Sequence, residues 1–528
     1  MNSNVPNRII VCCDGTGKSE FGDISESRHT NVSRLSYCIR SKCPNGSRQI
    51  VSYIAGIGTE STNSIPEKMW SQIVGAGLSE KMKQAYAFIC HNYDKQSQDE
   101  IILIGFSRGA FLVRCLADLI LKVGVLRKAG LHRLLKVHGY WAISSHQNNQ
   151  LETYCDSIPD NEIFRNVKVK VCAVWDTVSS ILIDGPSFIH SDLPRGIENA
   201  FQALSPDDKR HRFLPIVWSR PSSLGFLRAS SRQRLEQCWF TGYHADIGGG
   251  RERESLAHFA LAWMISKLDE FVEFDYNIFW RPAGVKSCWK LNTERLDVTS
   301  MSVVYSFLGT QDRWPGVQFW DKKQLKERPP PANRPLEYEK MHSTVRFLYE
   351  FHNRLDDRLA QTRAQNPSTQ NSRTQNSRTQ EDFQRMRPPT CKALRYVAPE
   401  RQLVNGRQIR KWNLQYSISD PEAHPSMPWW DISDRGMENV PSFFLGSPST
   451  FASRRGDIVD YSVDEEELGN REIALLTMWV QNDHTALLEN SEPGDPRPNT
   501  ILPDFSNFLY ETDPVAWRDL GSYIQQNL

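Results

Sequence analysis

One serine in this chain stands between two glycines, in Gly105-Phe106-Ser107-Arg108-Gly109, with an apolar run before it and a helix-like segment after it. This is the G-x-S-x-G nucleophile elbow in the strand–turn–helix context that the pattern requires. The turn is sharp enough that side chains two residues either side of the serine would collide, hence glycine at 105 and 109. It lifts the Ser107 hydroxyl to the N-terminus of a helix, whose dipole favours developing negative charge. A hydroxyl nucleophile needs a base to take its proton and an acid to orient that base. In this fold the chain order is serine, acid, histidine. Asp176 ends the apolar strand in Val174-Trp175-Asp176-Thr177, and His244 lies in the glycine-rich loop Thr241 to Gly250, so Ser107, Asp176 and His244 come in that order.

Other residues compete for these roles. Asp176 also suits simple capping of the next segment, Asp246 competes as the acid, and His342 and His484 compete as bases. Asp14-Gly15-Thr16-Gly17 follows the first apolar run. As a P-loop it lacks the glycine required where Cys12 stands, and as a phosphatase start it lacks the nucleophilic aspartate at that position. It reads instead as an oxyanion loop, in which the backbone N–H of Gly15 or Thr16 joins that of Arg108. A tight strand-to-helix turn satisfies the same residues, and phosphoryl chemistry at Asp14 is the third reading. Gly248-Gly249-Gly250 lacks dinucleotide-loop spacing. Asp464-Glu465-Glu466-Glu467 reads as a solvated acidic face, and Arg328-Pro329-Pro330-Pro331 as an extended surface loop.

The elements that must position these residues alternate between strand and helix, which predicts a mostly parallel sheet flanked by helices. Strands are expected over Ile9–Cys13, Gln49–Ile54, Ile101–Ile104, Val167–Val174 and Gln237–Phe240. Helices are expected over Leu78–Asn92, Ala110–Ile120 and Ser255–Leu268. Gln361 to Pro389 holds a tandem Gln-Asn-Ser-Arg-Thr repeat and almost no apolar residue before Phe383. Such composition buries too little surface to offset ordering entropy, so it reads as a disordered linker or insertion. The expected organisation is a catalytic domain over 8–355, the low-complexity segment over 361–389, and a C-terminal region over 390–528 that packs on the catalytic domain.

Composition narrows the function classes. Among 528 residues the net charge is +1, so neither a nucleic acid nor another strongly charged partner is implied. Eleven scattered cysteines without paired CxxC spacing fit reduced thiols in the cytosol and no metal site. Met1 to Arg8 lacks an apolar signal region and no apolar run is long enough to span a bilayer, so the expected location is cytoplasmic. Peripheral membrane contact stays open, because apolar surface patches are invisible in a sequence, and protein partners are not indicated.

Taken together, Asp14 to Gly17, Gly105 to Ala110, Val174 to Val178 and Gly242 to Gly250 resemble one known family. It is the catalytic domain of type VI secretion phospholipase effectors, long catalogued as a domain of unknown function. Ala203-Leu204-Ser205-Pro206-Asp207-Asp208 through Phe213-Leu214-Pro215 resembles a block of that family between acid and base. The resemblance covers roughly Arg8 to Leu268. It implies an α/β-hydrolase fold, no cofactor, a Ser-Asp-His triad on Ser107, Asp176 and His244, and ester hydrolysis of lipids. Lys18 departs from the asparagine frequent in the family, and the insertion and C-terminal region lie outside the effector pattern. The function expected is hydrolysis of carboxylic esters, phospholipid or another acyl lipid. The alternative is a non-catalytic scaffold of the same fold.

Overall fold

The computed structural model describes residues 5–15, 29–56, 67–143, 149–178, 193–205, 208, 215–218, 233–240, 242–250, 255–275, 339–343, 395–404, 407–417, 458–466, 469 and 472. Thr16, His484, the proline run at 328–331 and the low-complexity segment 361–389 lie outside these residues.

The first half alternates as the sequence predicts: β1 (Arg8–Cys13), α1 (Asn31–Cys38), β2 (Gln49–Ile54), α2 (Glu67–Asn92), β3 (Glu100–Phe106) and α3 (Arg108–Val123). A short ribbon, β4 (Val125–Leu126) with β5 (Ile163–Phe164), brackets α4 (Leu134–Ile143) and α5 (Gln150–Asp156). Then come β6 (Val169–Trp175), β7 (Ile197–Leu204), β8 (Arg234–Trp239), α6 (His244–Gly248) and α7 (Ser255–Leu268). The remaining strands are β9 (Glu339–His342), β10 (Arg395–Val404), β11 (Arg407–Ser417) and β12 (Ile458–Glu466).

Seven strands form a parallel sheet in the order β2-β1-β3-β6-β7-β8-β9. The fold is therefore α/β, of the α/β-hydrolase-like kind. β12 adds to β9 in parallel, and β11 and β10 follow antiparallel, so strands from the C-terminal region extend the same sheet.

Alternation along the inner strands feeds two cores, one per face, as a doubly covered parallel sheet requires. Ile9, Val11 and Cys13 of β1 pack with Met82, Tyr86 and Ile89 of α2 and with the apolar face of α3. Ile10 and Cys12, one residue out of phase, pack with Val32 and Leu35 of α1 and with Trp263, Met264 and Ile265 of α7. The chain leaves β1 toward β2 on one side and returns to β3 on the other. That reversal is a topological switch point between β1 and β3, and sheets of this type bind ligands beyond the carboxyl ends of the strands at such a point.

One sequence expectation is corrected. Glu466 is not part of a solvated acidic face. It is buried at the end of β12, 2.6 Å from Lys267 Nζ and also paired with Lys340. Lys267 reaches Glu236 of β8 at 2.8 Å as well. Four elements, β8, α7, β9 and β12, thus converge on one ion network. Burial alone would raise the Glu466 carboxyl, but the two lysines override it and hold its pKa at about 2.

Candidate active site

Ser107 is the N-cap of α3, with φ 58° and ψ −122°. No L-residue takes that conformation without strain, and such strain clusters at functional turns. Two close approaches explain the flanking glycines. A Cβ on Gly105 would lie 2.7 Å from Ala110 Cα, and one on Gly109 would lie 2.5 Å from the Asp14 carbonyl oxygen and closer still to that of Cys13. Helix α3 therefore starts directly against the end of β1, and only glycine fits there.

Strand register brings the acid beside the nucleophile. β3 and β6 pair Gly105 with Val174 and Phe106 with Trp175. The Ser107 N–H then donates to the Trp175 carbonyl at 3.0 Å. Asp176, the next residue of that chain, is fully buried with φ 41°. Its Oδ1 accepts the Ser205 N–H at 3.1 Å, which fixes the carboxylate from the neighbouring end of β7.

His244 opens α6. Its Nδ1 lies 2.6 Å from Asp176 Oδ2, and its Nε2 lies 2.8 Å from Ser107 Oγ. With the carboxylate ionised, Nδ1–H is the donor toward Asp176 and Nε2 accepts the serine hydroxyl. The Phe106 ring lies against the imidazole at 4.7 Å between centroids, so the residue before the serine also supports the histidine. All three groups are 5% exposed or less, which strengthens each of these hydrogen bonds relative to water.

The loop carrying His244 is held from three directions. Asp208, buried, accepts the His244 N–H at 3.3 Å. Ser205 Oγ donates to the Gly242 carbonyl at 2.7 Å. Asn31 Nδ2 donates to the Ile247 and Ala257 carbonyls, at 2.9 Å each. None of these three was assigned a role from sequence. The sequence offered for Ser205 and Asp208 the resemblance of Ala203 to Asp208 to a family block, and for Asn31 nothing.

The rivals occupy other positions. Asp246 turns back onto its own helix, where its Oδ2 accepts the Tyr243 N–H at 2.8 Å. His342, at the end of β9, lies 3.0 Å from Glu472 Oε1 and stacks on Phe240 at 4.4 Å. The Gly15 N–H donates to Asp14 Oδ1 at 2.6 Å. Arg108 contributes the first N–H of α3, for which no intrahelical acceptor exists. Burial lowers the Arg108 guanidinium to about 10, which still leaves it charged at neutral pH. Burial raises the thiol of Cys13, so this neighbour is not a competing nucleophile. Among the described residues no cluster of three or more His, Cys, Asp or Glu is placed to hold a metal ion.

Fold and site define an α/β-hydrolase-like domain with a serine at its elbow. Residues 7–267 match the family described as "T6SS, Phospholipase effector Tle1-like, catalytic domain", a likeness that supports a lipase-type hydrolase. The Saccharomyces cerevisiae protein named "Uncharacterized protein YEL023C" is 26% identical over 239 residues, which is 41% of this chain and 33% of that one. This chain thus spans about a third of the length of its curated yeast relative. Among solved structures, the Tle1 effector bound to the VgrG spike of the type 6 secretion system is 16% identical, with a TM-score of 0.26 over 47% of this chain and 52% of that one. An uncharacterized protein from Pseudomonas aeruginosa is 14% identical, with a TM-score of 0.27 over 50% of this chain and 46% of that one.

Proposed function

We propose that the domain is a serine hydrolase of carboxylic esters that works through Ser107, His244 and Asp176, with acyl lipids such as phospholipids as its substrate class. One observation carries the reading: a single imidazole bridges the elbow serine at 2.8 Å and a buried carboxylate at 2.6 Å.

Ser107 Oγ attacks the acyl carbonyl while His244 Nε2 takes the hydroxyl proton. Asp176 holds the imidazole in the tautomer this needs and stabilises the imidazolium that forms. Collapse of the tetrahedral intermediate breaks the ester C–O bond, and His244 returns the proton to the departing alcohol. Water, deprotonated by the same histidine, then cleaves the acyl-enzyme and regenerates Ser107.

The oxyanion requires N–H donors that are in place before charge develops. The Arg108 N–H is one proposed donor, assisted by the positive end of α3. The loop at Gly15 and Thr16 supplies the other. No cofactor enters this scheme. Lipid substrates also make peripheral membrane contact part of the proposal. No helix among the described residues is long and apolar enough to cross a membrane. Among the described residues nine cysteines are free and buried, which supports a reducing, cytoplasmic setting.

A panel of p-nitrophenyl esters and phospholipid vesicles, assayed with wild type and Ser107→Ala, tests the reading. Acyl release by wild type alone is expected. Equal release by both proteins contradicts it.

A further inference from the structure

Asp14 belongs to a motif whose side chain has no part in the reaction above. Its carboxylate is 3% exposed at the carboxyl end of β1 and takes three donors. These are the Gly15 N–H at 2.6 Å, the Thr30 hydroxyl at 2.6 Å and the Tyr53 hydroxyl at 2.5 Å. Hydrogen bonds to a carboxylate are of the strong, charge-assisted kind.

Two of these bonds lead to the nucleophile and the base by separate routes. Gly15 lies directly against the elbow: a Cβ there would be 3.3 Å from Ser107 Cβ and 2.9 Å from the Phe106 ring. That ring in turn packs on His244. Thr30 is the N-cap of α1 and pairs with Gly249 in an isolated bridge. The next residue, Asn31, is fully buried and spends both amide hydrogens on the Ile247 and Ala257 carbonyls. Ile247 sits within the five-residue helix that His244 begins. One side therefore touches the serine turn and the other clamps the far end of the histidine helix, and both meet at one carboxylate.

We propose that Asp14 is a positioning residue that sets the separation of Ser107 Oγ and His244 Nε2 by tying the turn after β1 to the start of α1. The proposal rests on the reading of Ser107 and His244 as nucleophile and base. A purely structural carboxylate in the same place would affect melting and leave turnover in the folded protein unchanged.

Asp14→Asn keeps the volume but removes the charge, so the Thr30 and Tyr53 hydroxyls must turn to accept from the amide N–H₂ and the charge-assisted bonds are lost. Wild type, Ser107→Ala, Asp14→Asn and Tyr53→Phe are compared for ester kcat and KM, and for the rate of labelling by a fluorophosphonate, well below each melting temperature. For Asp14→Asn, kcat and the labelling rate are expected to fall about tenfold to a hundredfold, the scale on which misplaced reacting groups lose rate. KM is expected to stay within about twofold of wild type, since the buried Asp14 offers a substrate almost no surface. Tyr53→Phe removes one donor and keeps the carboxylate, so a smaller fall in kcat in the same direction is expected. Wild-type kcat and labelling in folded Asp14→Asn overturn the proposal. If Asp14→Asn does not fold, wild-type kcat in Tyr53→Phe overturns it instead. Failure of the underlying reading looks different: wild type is then not labelled, or Ser107→Ala still is.

Discussion

Replacing Glu466 with glutamine should destabilise the fold by about 3 kcal/mol near neutral pH and by almost nothing near pH 2. Burial would on its own raise this carboxyl. Lys267 and Lys340 outweigh that effect and bring its pKa from an ordinary 4.5 down to about 2. The folded value lies below the unfolded one, so the anion stabilises the fold at pH above 4.5. That contribution is lost as the pH falls from 4.5 through 2. A difference of about 2.5 pH units at 1.36 kcal/mol each gives the figure of about 3 kcal/mol. Glu466 is 9% exposed, so solvent screening takes little from it. Glutamine keeps the shape of the side chain, and Lys267 keeps Glu236 at 2.8 Å, so the change isolates the charge rather than opening a cavity. Urea midpoints of both proteins, followed by tryptophan fluorescence between pH 3 and pH 7.5, measure the difference. A gap that closes toward acid supports the network and, with it, the seating of β12 beside β9. A gap that is absent at pH 7.5, or constant across the range, refutes the reasoning.

Three further changes probe other joints. Asp176→Asn should cut ester kcat by about four orders of magnitude, as an amide favours the wrong histidine tautomer; a loss under tenfold in steady-state kinetics would remove Asp176 from the mechanism. Gly109→Ala forces a methyl into the Cys13 and Asp14 carbonyls, so melting should drop by the equivalent of about 1–3 kcal/mol and fluorophosphonate labelling should fail with it. Glu472→Ala leaves the buried His342 without its 3.0 Å partner, at a cost of about 1–3 kcal/mol; calorimetry showing unchanged melting would argue against this pair as a fastening.

The parts of the fold written in local pattern were legible. β2 and α7 have the boundaries their apolar runs predict, and the elbow announced itself through two glycines that the close contacts require. The parts written in distant partners were not. β7 has the sequence Ile-Glu-Asn-Ala-Phe-Gln-Ala-Leu, whose Ala, Glu, Gln and Leu carry little strand signal. Its place between β6 and β8 makes it a strand. Gln202 within it is fully buried and donates to the Ile216 carbonyl at 3.1 Å. β9 is four residues, Glu-Lys-Met-His, too short and too charged to stand out. Glu339 is nevertheless buried there because the Trp239 indole N–H donates to it at 2.9 Å. The run containing Glu466 looks solvated for a similar reason, since its lysines lie 199 and 126 residues away along the chain. At the site, motif and chain order pointed to Ser107, Asp176 and His244 together. The groups that aim them, Asn31, Ser205 and Asp208, are ordinary polar residues until the fold brings them to the histidine loop.

The most direct test of the central claim is the site and rate of modification by a fluorophosphonate. Intact mass and peptide mapping should find one adduct, on Ser107. Ser107→Ala should give no adduct, and His244→Ala should be labelled far more slowly. An unlabelled wild type, or an adduct that persists in Ser107→Ala, would contradict the account.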